Sequence, residues 1–180
     1  MESRPTRLLQ DPREILKTHI RAVAAGTVTQ LKGTALTYRV TGGPPGKRLS
    51  TIVKVSGLGP VTYEHRDEIQ GKRTSRAKFT LPDDEVRSLF QQVQESGVLE
   101  QRDVGTGFLP DSVIGSITIQ SAEAEITYYF LAEERHQKFQ QKVPTPSLQR
   151  LIAVFQNLTK QGLRRSRPKS GTQSGTTKRR

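Results

Sequence analysis

"TYRVTGGPPGKRLSTIVKV", residues Thr37 to Val55, sets two runs of β-forming residues on either side of a Gly-Gly-Pro-Pro-Gly connection. Before the connection, Leu36, Tyr38 and Val40 occupy alternate positions; after it, Thr51, Val53 and Val55 do the same. A period of two marks a half-buried strand, so this stretch predicts two neighbouring antiparallel strands with one face turned inward. A tight hairpin turn needs fewer special residues than this connection contains. Gly42 and Gly43 allow positive φ, and Pro44-Pro45 stiffens the chain that follows. The segment Gly42–Gly46 then has two readings: a wide bulged corner that twists the sheet, or a pre-stiffened loop that loses little entropy when a partner binds it.

Downstream, Ser56-Gly57-Leu58-Gly59-Pro60 turns the chain into a third strand with Val61 and Tyr63 inward. A polar turn around Gln70-Gly71-Lys72 leads to a fourth, with Ala77, Phe79 and Leu81 on its apolar side. A helix begins at Pro82, where Asp83, Asp84 and Glu85 complement the helix dipole. Its apolar stripe is Val86, Leu89, Phe90 and Val93, and Gly97 with Val98 stops it. Val113–Gln120 and Glu125–Leu131 predict a second hairpin. Thr145-Pro146 opens a last helix with Leu148, Leu151, Ile152, Phe155 and Leu158 inward, ended by Gly162. Upstream, Asp11-Pro12-Arg13-Glu14 starts an amphipathic helix over residues 11–26, with Asp11 as cap, Glu14 closing a capping box and Gly26 at the stop.

The predicted order is α-ββββ-α-ββ-α. Segregated strands and helices predict an α+β fold, an antiparallel β-meander sheet with helices packed on one face; a doubly wound parallel sheet would need strict alternation. The chain divides into an N-terminal extension (1–33), the α+β domain (34–162) and a tail (163–180). "LRRSRPKSGTQSGTTKRR" has no apolar periodicity and cannot offset its ordering entropy, so it is expected to be a disordered basic tail.

Charge follows the same division. The 180 residues carry 29 Lys and Arg against 17 Asp and Glu, a net +12. Eight of the cations lie between Lys160 and Arg180 with no acid among them, so the rest of the chain accounts for only +4. Cysteine is absent, which excludes a disulfide framework and a thiolate metal site. No apolar run approaches the roughly 20 residues that cross a bilayer, and the N-terminal residues are charged where a signal peptide needs its apolar segment. The expectation is a soluble, cytoplasmic protein, monomeric when free.

Motifs for catalysis do not appear. His19, His65 and His136 are far apart and lack the paired spacing of a zinc site. The chain has no nucleophile elbow, no phosphate loop and no dinucleotide fingerprint. The acids at 83–85 are explained by the helix start. A non-enzymatic protein without cofactor or metal is expected.

From Leu36 to Leu158 the chain resembles the emfourin family, small bacterial proteins that inhibit thermolysin-like metallopeptidases. Three features carry the resemblance: a strand running into "GGPPG"; the polar-capped helix "LPDDEVRSLFQQVQESGVL"; and "LPDSVIGSITI" followed by a second strand and the helix start Pro146-Ser147-Leu148-Gln149-Arg150-Leu151-Ile152. The first helix and the basic tail lie outside it. The resemblance implies a protein-binding inhibitor or regulator that fills an enzyme cleft, its partner a thermolysin-like metallopeptidase. Such enzymes are similar in wanting a bulky apolar residue beside the scissile bond. The resemblance therefore directs attention to rigid loops at one edge of the sheet: Gly42, Gly43, Pro44, Pro45 and Gly46, with Leu49, Leu58, Phe108 and Leu109 as apolar contacts.

A second function class rests on charge alone. Arg66, Lys72, Arg73, Arg76 and Lys78 surround one hairpin and can form a basic stripe. The tail adds Arg164, Arg165, Arg167, Lys169, Lys178, Arg179 and Arg180. Together they suit nucleic acid or another anionic surface, although no recognition motif accompanies them.

Overall fold

The strand that begins in the quoted stretch is the middle of the molecule. In the computed structural model, which describes residues 11–27, 31, 33–43, 46–101, 113–132 and 144–167, β1 (Ala35–Gly42) is hydrogen-bonded on both sides. On one side it pairs with β2 (Leu49–Ser56), which leads through β3 (Pro60–Asp67) to β4 (Lys72–Thr80). On the other it pairs with β5 (Ile114–Gln120), which carries β6 (Glu125–Leu131). The result is a six-stranded antiparallel sheet in the order β4-β3-β2-β1-β5-β6. With α1 (Pro12–Ala24), α2 (Asp83–Glu95) and α3 (Pro146–Ser166), the chain is an α+β fold in the predicted order.

Register aligns the predicted apolar positions in rows across the sheet. Tyr38 lies between Val53 and Ile117, and Leu36 between Val55 and Ile119. The rows continue to Tyr63 and Val61 on one side and to Tyr128 and Ile126 on the other. Most of these side chains are buried in one core beneath the helices. Only one face of an antiparallel sheet has to be apolar, and here the other face is mixed, with threonines and charged residues beside Ile52, Ile114 and Tyr129.

The helix ends largely follow their cap residues. Asp11 Oδ1 accepts from Arg13 N (2.9 Å), and Thr145 Oγ1 accepts from Leu148 N (3.3 Å). Glu14 departs from the expected capping box: its carboxylate accepts from Lys17 Nζ at 2.9 Å instead of returning to the cap. At the far end of α1, Thr27 N donates to Ala22 O and Gly26 N to Val23 O, the paired bonds of a Schellman stop. Leu16, Ile20 and Val23 of α1 belong to the same core as the sheet, so this helix packs on the body of the domain.

α3 crosses the sheet from β1 to β4. Phe155 stacks on Tyr38 with ring centroids 5.3 Å apart and planes 5° from parallel. One and two turns further on, Leu158 is buried and Gly162 meets Tyr63. The prediction that Gly162 ends this helix is overturned: the helix continues to Ser166. The glycine serves close packing instead, because a Cβ there would run into the Tyr63 ring. Residues 163–166 therefore leave the predicted tail and join the helix, while residues from 168 onward lie outside the described ones.

Backbone needs account for the glycines of the β1–β2 connection. A Cβ on Gly42 would stand 2.7 Å from Val113 Cγ2, and one on Gly43 would strike the Lys47 carbonyl oxygen. The β1–β2 register runs without a shift as far as Gly42 opposite Leu49, so the described pairing contains no bulge; Pro44 and Pro45 lie outside the described residues.

The Gly162–Tyr63 contact has a measurable consequence. Gly162→Ala should destabilise the protein by about 1–3 kcal/mol through overpacking, although alanine is the better helix former by about 1 kcal/mol. Gln161→Ala, at the exposed neighbouring position, should stay within about 0.5 kcal/mol of the parent. Urea denaturation of both variants checks this.

Candidate functional site

The alternation that buries Leu36, Tyr38 and Val53 turns the intervening residues to the opposite face. Thr37, Arg39 and Thr41 of β1 lie there beside Ile52 and Lys54 of β2 and Ser116 and Thr118 of β5. Part of this outer face forms an open trough of about 780 Å³. Its floor is largely threonine, with Ile52 among them. Ile69 stands at one side, and Ile114 and Tyr129 at the other.

The side carrying Ile69 is built by the β3–β4 turn. Asp67 Oδ1 accepts from Ile69 N (3.0 Å) and Gln70 N (3.1 Å), fixing the bend. Glu68 N donates to Arg48 O at 2.7 Å. The Glu68 carboxylate then reaches back across the sheet, accepting from the Ser50 hydroxyl and from Arg39 Nη2 (2.8 Å). Arg39 Nε also donates to Thr41 Oγ1 (3.1 Å). The Ser50 hydrogen bond, aided by the charge and hydrogen bond of Arg39, outweighs burial and holds the Glu68 carboxyl below the usual range. Locking the turn in this way leaves Ile69 outward, 61% exposed, and across the trough Tyr129 is 47% exposed.

A second group lies on the same face toward the β4 edge. Glu64 of β3 sits opposite Arg76, and Arg66 sits opposite Arg73. All three guanidinium groups converge on the one carboxylate: Arg66 Nη2 at 2.5 Å, Arg73 Nη2 at 3.4 Å and Arg76 Nε at 3.7 Å. Burial opposes ionisation of Glu64, whose side chain is only 15% exposed. The hydrogen bond and charge of Arg66, with the charges of Arg73 and Arg76, prevail and keep its carboxyl below the ordinary range.

Four of the five hairpin cations named from the sequence therefore share this face: Arg66, Arg73, Arg76 and Lys78. Lys72 aligns with Asp67 at the hairpin end, and alternation along β4 turns it away from Arg73. Arg165 is held by the helix, its guanidinium 4.9 Å from the centre of the Phe79 ring. Arg164 lies beside it in α3 and Arg167 just past the helix end. Lys169, Lys178, Arg179 and Arg180 lie outside the described residues.

The predicted contact loops do not form one edge. Gly42, Gly43 and Gly46 stand at one end of β2 and Leu58 at the other, separated by the strand's length of about 23 Å. Leu49 is no loop residue: it opens β2, half-buried, paired with Gly42 and Asp67. Leu58 is exposed, at 61%. Phe108 and Leu109 lie outside the described residues.

Sequence reasoning missed Arg39, Glu68, Ile69, Tyr129 and Glu64. One signal was present: an isoleucine in the otherwise polar turn "DEIQG". The Arg39–Glu68 pair, 29 positions apart, has no local mark.

Two of the three histidines have structural partners. His19 Nε2 lies 2.7 Å from Thr34 Oγ1, tying α1 to the start of β1, and His65 Nδ1 lies 2.9 Å from Thr51 Oγ1. His136 lies outside the described residues. Among the described residues, no three His, Cys, Asp or Glu side chains gather as metal ligands, and no helix is long and apolar enough to cross a membrane. Comparison of the chain with protein-family models and with curated proteins finds no match.

The two carboxylates set an acid dependence. Glu64 and Glu68 ionise at lower pH in the folded protein than at the ordinary 4.5. Their stabilisation is complete above that value and is lost as pH falls through the depressed native values. Denaturation midpoints taken from about pH 6 to about pH 3 should fall accordingly. Glu64→Gln/Glu68→Gln should start lower near pH 6 and fall less steeply.

Proposed function

We propose that this protein is a non-enzymatic protein-binding module that seats a segment of a partner in the trough on the outer face of its sheet. The observation that carries the reading is the pair of exposed apolar side chains, Ile69 and Tyr129, across a floor framed by a hydrogen-bonded arginine. Aromatic and arginine side chains are enriched at protein interfaces, where a few buried anchors provide most of the affinity. The anchors stand on strands and on a fixed turn, so little ordering entropy is lost on binding. A wide, shallow concavity suits a polypeptide better than a small molecule, which is normally enclosed.

For the partner's identity, the support is the resemblance to the emfourin family. On that reading the partner is a thermolysin-like metallopeptidase, held in a 1:1 complex that blocks its cleft. Leu58 stands at the far end of β2 from the β1–β2 corner, so it is the natural control for a contact centred on the trough.

The test is titration of a thermolysin-like peptidase with the purified protein, following hydrolysis of a peptide substrate. Stoichiometric inhibition is expected. Tyr129→Ala and Ile69→Ala should each weaken it about tenfold or more, on the order of 1.4 kcal/mol, and Leu58→Asp should leave it unchanged. Loss on Leu58→Asp with both trough variants silent would move the contact to the β2–β3 turn. Absence of both inhibition and complex formation would remove the peptidase from the proposal.

A further inference from the structure

We propose that the outer face of the sheet at its β4 edge is a binding track for the phosphodiester backbone of a nucleic acid, running from the Arg66–Arg73 pair along Arg76 to Lys78. This surface is separate from the trough and goes beyond the protein-binding reading.

At this edge the sheet breaks a local rule. Like charges directly opposite each other on neighbouring strands destabilise the pairing, yet Arg66 faces Arg73. Glu64 offsets part of that repulsion, but one carboxylate among three guanidinium groups leaves two positive charges uncompensated. The three arginine side chains are 42–44% exposed, so unused N–H donors remain open to solvent. Breaches of local consistency concentrate where a surface serves binding.

Arg76 and Lys78 are two residues apart on an extended strand, a rise of about 7 Å, comparable to the separation of successive phosphates along an extended nucleic-acid strand. β4 is an edge strand of the sheet, so a linear ligand can lie along it. Arginine is the side chain whose planar fork matches phosphate oxygens.

Along β4 the exposed residues are Lys, Arg and Thr, while Ala77 and Phe79 are buried. No apolar side chain of the strand is available to enter a lipid layer, and no exposed ring is available to stack on a base. Affinity must then be ionic, independent of sequence and steeply dependent on salt.

The experiment uses the full chain and a fluorescent 20-nucleotide oligothymidylate, with anisotropy read across a salt series. The wild type should bind at low salt. Replacing Arg73, Arg76 and Lys78 together by alanine removes up to three phosphate contacts. The slope of log K against log salt should then become shallower by about 2, at roughly 0.7 per contact on single strands. Affinity at the low-salt end should drop at least tenfold. Glu64→Gln should tighten binding, because it removes the opposing charge, and Tyr129→Ala should leave it unchanged. Circular dichroism establishes that each variant is folded. The proposal is overturned if the wild type fails to bind, or if the triple variant keeps the parent slope and affinity, which would place binding in the residues after 167. It is also overturned if polyglutamate or anionic vesicles bind as tightly as the oligonucleotide.

Discussion

The structure depends on β1 having two partners. Without its pairing to β5, the meander β1–β4 would lose its neighbour and the hairpin β5–β6 would be an isolated two-stranded sheet, marginal by itself in water. Pairing on both sides makes one continuous surface. Tyr38 at its centre collects the load, with Phe155 stacked above it and Phe130 6.2 Å away. Burial pushes the Tyr38 phenol up to about 12, against the opposing hydrogen bond of Gln156, so the ring stays neutral in the core. Phe130 in turn lies over Gly115, where a Cβ would enter the ring. The aromatic layer thus fits because glycine stands at the two closest approaches, Gly115 below Phe130 and Gly162 above Tyr63.

A sheet covered on one side leaves the other side for recognition. The helices take the apolar face, and the outer face divides into two regions of different chemistry. Toward β5 and β6 the exposed residues are threonine, isoleucine and tyrosine, with Arg39 tied to Glu68. Toward β4 they are mostly cationic, with Glu64 at the centre. In both regions one partly buried carboxylate organises the arginines around it, so rigidity comes from the sheet and orientation from a single acid.

Edge strands show the same asymmetry. β4 carries Lys72, Arg73, Arg76 and Lys78, a charge density that discourages pairing with another sheet. β6 carries Tyr128, Tyr129 and Phe130 with one acid, Glu125. The cations that protect one edge from pairing are the same ones that make it a track for an anion.

The inward residues of every strand were legible in the sequence, because side-chain alternation is a local property of an extended chain. Helix starts were legible for the same reason: Asp11 and Thr145 cap through groups two or three residues away. The amino-acid sequence by itself therefore determined the α+β class, the element order and the composition of the core. Tertiary structure alone decided that β5 pairs with β1, that Gly162 admits Tyr63 in place of ending a helix, and that Arg39 meets Glu68 across 29 positions. It also placed Leu58 far from the Gly42–Gly46 connection. These outcomes depend on which distant segments come within a few ångströms of each other, and no periodicity along the chain encodes that.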